Sequence, residues 1–130
     1  MTLTRIAYDS NHSGLAAGVL EDISEISSSN NKRDDITGVL VVCDEDFFQI
    51  LEGERTVVSE CIRRIMNDVR HQKINIVFAG DAQTRLFPAW GLHNVERDVM
   101  LRHMTNGEFD PALISEGEVV SLCLELALTT

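Results

Sequence analysis

The sequence predicts an α+β fold, a ferredoxin-like βαββαββ sandwich with extra helices at its C-terminal end. Five apolar stretches have the alternation or the β-branched residues of strands, and they begin at Leu3, Ile36, Phe47, Ile74 and Ala89. Two further stretches repeat apolar residues three and four positions apart, as amphipathic helices do. One lies between the first two strands and the other between the third and fourth, which gives the βαββαββ order.

The first strand is predicted at residues 3–8, where apolar and polar residues alternate up to Tyr8, the only tyrosine. Residues 9–13 are polar and predict a turn, and Ser13 can cap a helix over residues 14–28. The Ser and Asn residues that follow at 27–31 compete for backbone hydrogen bonds, so they are expected to end this helix.

Residues 36–54 predict a β-hairpin. A β-branched apolar run forms its first strand at residues 36–43, and a polar turn separates it from the return strand at residues 47–51. Gly38 inside the first strand indicates a close backbone approach or a bulge. Gly53 is expected to end the return strand just before a second helix.

That second helix is predicted from residue 54 or 56 to residue 70, with Ile65 on its apolar face. Strands follow at residues 74–81 and 89–95, and the latter carries the only tryptophan, Trp90. The tail predicts a short helix at residues 97–103 and a last helix at residues 116–128. The last helix has a large apolar face, which must cover the sheet or meet a partner.

The composition favours a single acidic globular domain. The 130 residues are 44% hydrophobic and carry a formal net charge of −10, which disfavours nucleic acid and anionic membranes as partners. No apolar run is long enough to span a membrane and no secretory segment follows Met1, so a cytoplasmic location is expected. The three cysteines and four histidines lack the spacing of metal ligands, so no metal site is predicted.

Gln49 is the polar exception inside the apolar stretch Phe-Phe-Gln-Ile-Leu. A buried amide needs partners for both its carbonyl and its NH2 group. Two interpretations of Gln49 stay open on this evidence. It lies on the solvent face or bonds to nearby backbone, or it faces a ligand that has both donors and acceptors.

Other polar residues lie at the ends of the predicted elements, while the common catalytic motifs are absent from the sequence. Two amides and a phenol suit a flat heteroaromatic ligand with alternating C=O and N–H groups, and an arginine suits a phosphate. The alternative is that these residues are turn caps and surface groups that never meet. The set comprises Tyr8, Asn31, Gln49, Asp68, Arg70 and His71.

Five segments occur in order between residue 3 and about residue 95: LTRIAY, NN before ITGVL, FFQILEG, DVRH and RLFPAW. In these segments the sequence resembles the BLUF family, blue-light sensors that use FAD. The string Ile-Thr-Gly…Phe-Gln-x-Leu-Glu-Gly with a downstream Asp-x-Arg-His is highly specific. The resemblance implies the βαββαββ fold described above, with FAD lying between the two helices.

By this resemblance, Tyr8 is the photochemical electron donor, and Gln49 lies between Tyr8 and the flavin, where it can bond flavin N5 and C4=O. Asn31 would hold the pyrimidine edge of the flavin, and Ile23 and Ile65 would pack on the two faces of its ring. Light would move an electron and then a proton from Tyr8 to FAD. The Gln49 amide would rotate or tautomerise, and the flavin absorption would shift slightly to the red.

Three further residues are assigned by resemblance to the flavin and its ribityl–phosphate arm, namely Asp68, Arg70 and His71. Trp90 would be the last-strand tryptophan that can exchange places with a neighbour near Gln49 and lead the signal outward. The family usually has Met two residues later, where this sequence has Leu92. Leucine has no thioether acceptor, so a signal route from Gln49 through this side chain to the last strand is less well supported. Val42 replaces an aromatic residue that is frequent in the first hairpin strand.

The resemblance makes residues 3–95 the flavin-binding domain and residues 96–130 a C-terminal helical extension of the same domain. No effector domain is visible, so the signal is expected to reach a separate downstream protein or to change the oligomeric state, and no enzyme activity is expected. Two alternatives are a flavin-dependent redox enzyme and a cofactor-free ferredoxin-like binding module. The colour of the protein, and its reversible shift in blue light, separates the three.

Overall fold

The computed structural model describes residues 2–12, 18–68, 72–101 and 115–128. The elements are β1 Leu3–Asn11, α1 Val19–Arg33, β2 Thr37–Cys43, β3 Asp46–Glu54, α2 Arg55–Met66, β4 Gln72–Ala82, β5 Trp90–Asn94, α3 Arg97–Leu101 and α4 Glu116–Leu128. The strands of these residues form a five-stranded sheet in the order β4-β1-β3-β2-β5. Neighbouring strands are antiparallel, apart from β2 and β5, which are parallel. The predicted α+β class and element order are confirmed.

Side chains alternate along β3 between the two faces of the sheet. Phe48 and Ile50 lie on one face, where they pack in an apolar cluster with Leu122 of α4. Leu51 lies on the other face and packs with Val58 of α2. Leu122 is fully buried, so α4 folds back on the sheet, which is one of the two arrangements that its apolar face allowed.

β1 is longer than its sequence predicts. Residues 9–11 were expected to turn, but they continue the strand and pair with β3 as far as Asn11 opposite Asp46. The local preference of polar residues for turns is overridden by the hydrogen bonds of a neighbouring strand that is equally long. The consequence is that Tyr8 lies inside the strand rather than at its end.

α1 continues to Arg33, through the Ser and Asn run that was expected to end it at residues 27–31. Asn31 is buried in the last turn, so tertiary packing outweighs its low helix propensity. Lys32 follows it in the last turn, where positive charge suits the helix dipole. The predicted start of this helix, at residue 14, lies outside the described residues.

α2 ends at Met66 rather than at residue 70. Its start is set by Glu54, whose side chain accepts a hydrogen bond from the Val57 N–H at 3.2 Å, so Glu54 acts as the N-terminal cap. Gly53 was expected to end the return strand, but it lies inside β3, which continues to Glu54.

The two C-terminal helices were predicted close to where they lie. α3 covers five residues of the predicted 97–103, and the last two of that range lie outside the described residues. α4 has the predicted bounds. None of the helices in the described ranges is both long enough and apolar enough to cross a membrane.

Glu52 is a fully buried carboxylate on the face of the sheet that α4 covers. The strand register places Arg5 of β1 and Thr37 of β2 on either side of it. Arg5 Nε and Thr37 Oγ1 each donate to Glu52 at 3.0 Å, and the backbone N–H groups of Leu86 and Phe87 donate at 2.9 Å. Hydrogen bonds to a charged group contribute about 1.5–3 kcal/mol each, so Glu52 ties the β4–β5 connector to the sheet.

Gly38 has a φ of +145° in the middle of β2. A Cβ atom there would lie 2.0 Å from the carbonyl oxygen of Ile50 in β3, which confirms the close backbone approach expected at this glycine. Because the neighbour is backbone and not a flexible side chain, no rotamer change can relieve the clash.

Replacing Gly38 with Ala is expected to lower the free energy of unfolding by at least about 2 kcal/mol, since it combines overpacking with an unfavourable φ. Urea unfolding followed by circular dichroism measures this loss. The matched control is Gly80→Ala in β4, where an added Cβ has no neighbour within 4 Å, and it should change stability by less than about 1 kcal/mol. Equal stability of the two variants would contradict the argument.

Candidate functional site

A cavity of about 160 Å³ lies between α1 and α2, with strands β2 and β3 as its floor. Its walls bring together five of the residues singled out in the sequence: Ile23, Asn31, Gln49, Ile65 and Asp68. Arg70 and His71 lie outside the described residues. The other residues that line the cavity are Ile26, Ser27, Asn30, Leu40, Phe47, Cys61 and Arg64.

Gln49 is buried at this cavity, with 4% of its surface exposed, so it does not lie on the solvent face. Its Nε2 donates to the Tyr8 hydroxyl oxygen at 2.5 Å, and its Oε1 accepts from Trp90 Nε1 at 3.0 Å. An indole N–H can only donate, so the atom facing it must be the amide oxygen. The indole of Trp90 therefore fixes the orientation of the Gln49 amide.

The strand register explains why these three side chains meet. Tyr8 and Gln49 are directly paired in the antiparallel ladder between β1 and β3. On the other side of β3, Gln49 pairs with Leu40 of β2, and Leu40 pairs with Leu92 of β5. Trp90 lies two residues before Leu92, on the same face of the sheet. Four strands thus converge on one amide.

Tyr8 is completely buried. Burial raises the pKa of its phenol far above the usual value, the hydrogen bond from Gln49 lowers this pKa in part, and the negative charges that Cys61 and Asp68 can carry raise it further. A phenol in this environment stays neutral at any physiological pH. It therefore keeps its proton until another event, such as oxidation, makes the proton acidic.

Asn31 and Cys61 face each other across the cavity, from α1 and α2. Both are buried, and the Cys61 thiol approaches the Asn31 amide oxygen at 3.9 Å. Burial raises the pKa of the Cys61 thiol, so it stays protonated and is a weak nucleophile at neutral pH. The backbone carbonyl of Asn31 accepts from Ile36 N–H at 2.8 Å, which anchors the end of α1 to the start of β2.

Sequence reasoning did not assign Cys61 or Arg64 to this site. Cys61 lies four positions before Ile65 and hence on the same face of α2. Arg64 lines the cavity and also contacts Asp34 at 3.3 Å. Periodicity along α2 was the signal that could have found Cys61. Among the described residues no cluster of potential metal ligands occurs.

Trp90 and Leu92 both pack with the apolar side chains at the floor of the cavity. The buried members of this cluster include Ile23, Leu40 and Phe47. The polar contact to Gln49 comes from Trp90, while Leu92 contributes apolar packing. Of the two residues predicted to carry the signal, Trp90 thus contacts Gln49 directly, while Leu92 is separated from it by Leu40 of β2.

The model of the family described as "Sensors of blue-light using FAD", BLUF, matches residues 3–93. The chain belongs to the BLUF family. Among its relatives is the blue light- and temperature-regulated antirepressor BluF of Escherichia coli, 33% identical over 73 residues, which are 56% of this chain and 18% of that protein. The curated BLUF relatives are matched over only 8–18% of their length.

Two solved BLUF structures match nearly the whole chain. The photo-activated state of BlsA has 27% identity and a TM-score of 0.76 and covers 97% of this chain and 95% of its own. The dark state of BlrB, a BLUF protein, has 28% identity and a TM-score of 0.72, and the match covers 99% of this chain and 98% of BlrB. BLUF domains bind FAD and sense blue light, so this chain is a blue-light sensor module.

The buried phenol predicts how stability depends on alkaline pH. The pKa of Tyr8 is raised in the folded protein. The contribution of the neutral phenol to the free energy of unfolding is therefore fully present below the unfolded pKa of about 10, and it is lost as pH rises above that value. Between pH 10 and 12, the free energy of unfolding of the natural protein should fall by about 1.4 kcal/mol per pH unit more than that of Tyr8→Phe.

Urea unfolding of both proteins at several pH values measures this difference, and phenolate absorbance reports Tyr8 directly because the sequence has one tyrosine. All other titrating groups are common to both proteins and cancel in the comparison. Parallel stability curves for the two proteins would contradict the raised pKa.

Proposed function

We propose that this chain senses blue light by rearranging the hydrogen bonds among Tyr8, Gln49 and Trp90 beside FAD bound between α1 and α2. The observation that carries the proposal is the buried Gln49 amide, which is held between a phenol and an indole at the wall of the cavity. FAD, when bound, absorbs the light and accepts an electron. Everything else in the response is done by side chains of this chain.

The residues around the cavity fit a flavin ring. Each of the two helices supplies an apolar wall, α1 with Ile23 and α2 with Ile65. The buried amides of Asn31 and Gln49 supply the donors and acceptors that a flavin edge needs. Asp68 lies at the same cavity. In this proposal Ile23 and Ile65 cover the ring faces and Asn31 holds the pyrimidine edge.

The ribityl–phosphate arm is the second part of the flavin to be held. We assign it to Arg70 and His71, which follow Asp68 directly in the sequence, because a guanidinium suits a phosphate. Arg64 at the cavity supplies a further positive charge in a chain whose net charge is −10. These positive charges offset the repulsion that an acidic protein exerts on a phosphate.

Tyr8 would start the response by giving an electron and then its phenolic proton to the bound flavin, and both would return to Tyr8 once the Gln49 amide has rearranged. The buried, neutral phenol suits this role, because oxidation makes a phenol strongly acidic while the ground-state phenol holds its proton. Gln49 is in direct contact with the Tyr8 oxygen. The amide therefore senses the change at Tyr8 without any intervening group.

Gln49 then changes its partners. In the present arrangement its NH2 group faces Tyr8 and its carbonyl faces Trp90. Half a turn of the amide would place the NH2 group against the indole N–H, and two donors cannot bond each other. A tautomer that carries hydrogen on the oxygen keeps an acceptor there, but a weaker one than a carbonyl. Rotation would release Trp90 and tautomerisation would weaken its hydrogen bond, so either event is passed to β5.

The output of this sensor is proposed to run from β5 to the segment of residues 96–130, with residues 3–95 as the flavin-binding unit. α4 packs on the opposite face of the sheet, where a change in docking would expose apolar surface. The receiver would be a separate protein or a second copy of the chain. A cytoplasmic location is part of the proposal, and the free buried thiols of Cys43 and Cys61 agree with a reducing compartment.

Replacing Gln49 with Leu is expected to leave flavin binding intact and to abolish the reversible red shift in blue light. Leucine keeps most of the volume and removes the amide that rearranges. Absorption spectra before and after illumination measure this. The control is Gln83→Leu, the same change at an exposed position of the β4–β5 connector, which should shift normally. A normal red shift in Gln49→Leu would refute the proposed switch.

Replacing Leu122 with Ala tests whether α4 is the output. Removing this fully buried side chain should weaken the docking of α4 by about 2–4 kcal/mol while the colour and the red shift persist. Hydrogen exchange of residues 116–128 should then be fast in darkness as well as in light. The control is Ser121→Ala on the exposed side of α4. An unchanged light–dark difference in Leu122→Ala would exclude α4 as the output.

A further inference from the structure

We propose that Glu52 is a positioning residue of the light response, because it fixes the β4–β5 connector as a rigid link between Trp90 and α4. This inference rests on the proposed function, since it concerns how a movement of Trp90 leaves the site. Glu52 lies on the face of the sheet opposite Gln49 and does not touch the cavity. Its influence on Trp90 is therefore exerted through the backbone.

The connector is held at every residue from Thr84 to Phe87. The Thr84 carbonyl accepts from Arg5 Nη2 at 2.9 Å, and Arg85 Nη1 donates to Thr37 Oγ1 at 2.9 Å. The Leu86 N–H donates to both oxygens of Glu52, at 3.0 and 2.9 Å, and the Phe87 N–H donates at 2.9 Å. Arg5 and Thr37 also donate to Glu52, so one carboxylate lies at the centre of the whole set.

The two ends of this link lie on opposite faces of the sheet. Phe87 is buried with Leu122 and Leu126 of α4, while Trp90, three residues later, donates to Gln49. Between them, the Ala89 carbonyl accepts from Gly38 N–H at 3.1 Å. Through the connector, the path from Trp90 to the α4 docking surface at Phe87 is therefore four residues long, and Glu52 holds its far end.

A flexible connector would absorb the displacement of Trp90 by changing its own backbone angles. The backbone at Leu86 and Phe87 cannot do this without breaking their bonds to Glu52. The displacement must then act on Phe87 and on its packing against α4. Glutamate suits the position because both of its oxygens accept, whereas a Gln amide presents one donor end to backbone N–H groups that also donate.

The test compares the natural protein with Glu52→Gln, both loaded with flavin, in darkness and in blue light. Gln49 and Tyr8 are untouched, so the red shift should keep its normal size. The Leu86 and Phe87 amides should exchange at least about tenfold faster in darkness. The light–dark difference in the exchange of residues 116–128 should fall at least about twofold. Emission from Trp90, the only tryptophan, should change in the dark protein.

The matched control is Glu54→Gln, the same change two residues along β3, which weakens the cap of α2 and leaves the connector alone. A general loss of stability would affect both variants, whereas the inference requires that only Glu52→Gln loses the response of α4. If Glu52→Gln fails to fold, Thr37→Val is used instead, because it removes the hydroxyl that Arg85 and Glu52 share. It should also keep the red shift and reduce the light–dark difference in the exchange of residues 116–128, by less than Glu52→Gln.

Each outcome is decisive. A natural protein without any red shift would overturn the proposed function, and this inference with it. A normal red shift together with an unchanged α4 response in Glu52→Gln and Thr37→Val would overturn the role of Glu52 alone. A lost red shift in Glu52→Gln would place Glu52 in the flavin site and would also overturn the inference.

Discussion

The amide of Gln49 is asymmetric, with donors at one end and an acceptor at the other, and burial forces both ends to find partners. The rest of the site is arranged to meet this demand. β1 brings Tyr8 to the donor end, and β5 brings Trp90 to the acceptor end. A change in the hydrogen-bond partners of Gln49 cannot stay local, because Tyr8 and Trp90 belong to two different strands.

The sheet separates the cavity from the helix that is proposed to carry the output. The cavity, α1 and α2 lie on one face, and α4 lies on the other with Leu122 in the apolar cluster. In the proposed function this partition would protect Tyr8 and Gln49 from a partner that binds α4, but it would also require a route across the sheet. The β4–β5 connector joins Phe87 on the α4 face to Trp90 on the cavity face, and hydrogen bonds to Glu52 hold it in place.

The sequence predicts most of the fold because apolar periodicity is a local signal. Gly38 also predicts the close approach of β2 to β3. The site is predicted less completely. Gln49 stands out as a polar residue among apolar ones, but the donation from Trp90 depends on the parallel pairing of β2 with β5, which no local pattern shows. Asn31 lies in a run that favours turns and is helical only because tertiary contacts bury it. Cys61 lies on the apolar face of α2, and apolar periodicity alone does not distinguish a cavity wall from the core.

β5 is the shortest strand of the described sheet, and it lies at the edge with β2 as its single neighbour. Parallel pairing is slightly weaker than antiparallel pairing, and short edge elements open at lower cost than the whole protein. Warming should therefore detach β5 while β1, β3 and the two helices around the cavity remain folded. If the signal leaves through β5 as proposed, such a protein would keep its colour and lose its signal, so the temperature range of signalling would be narrower than that of folding.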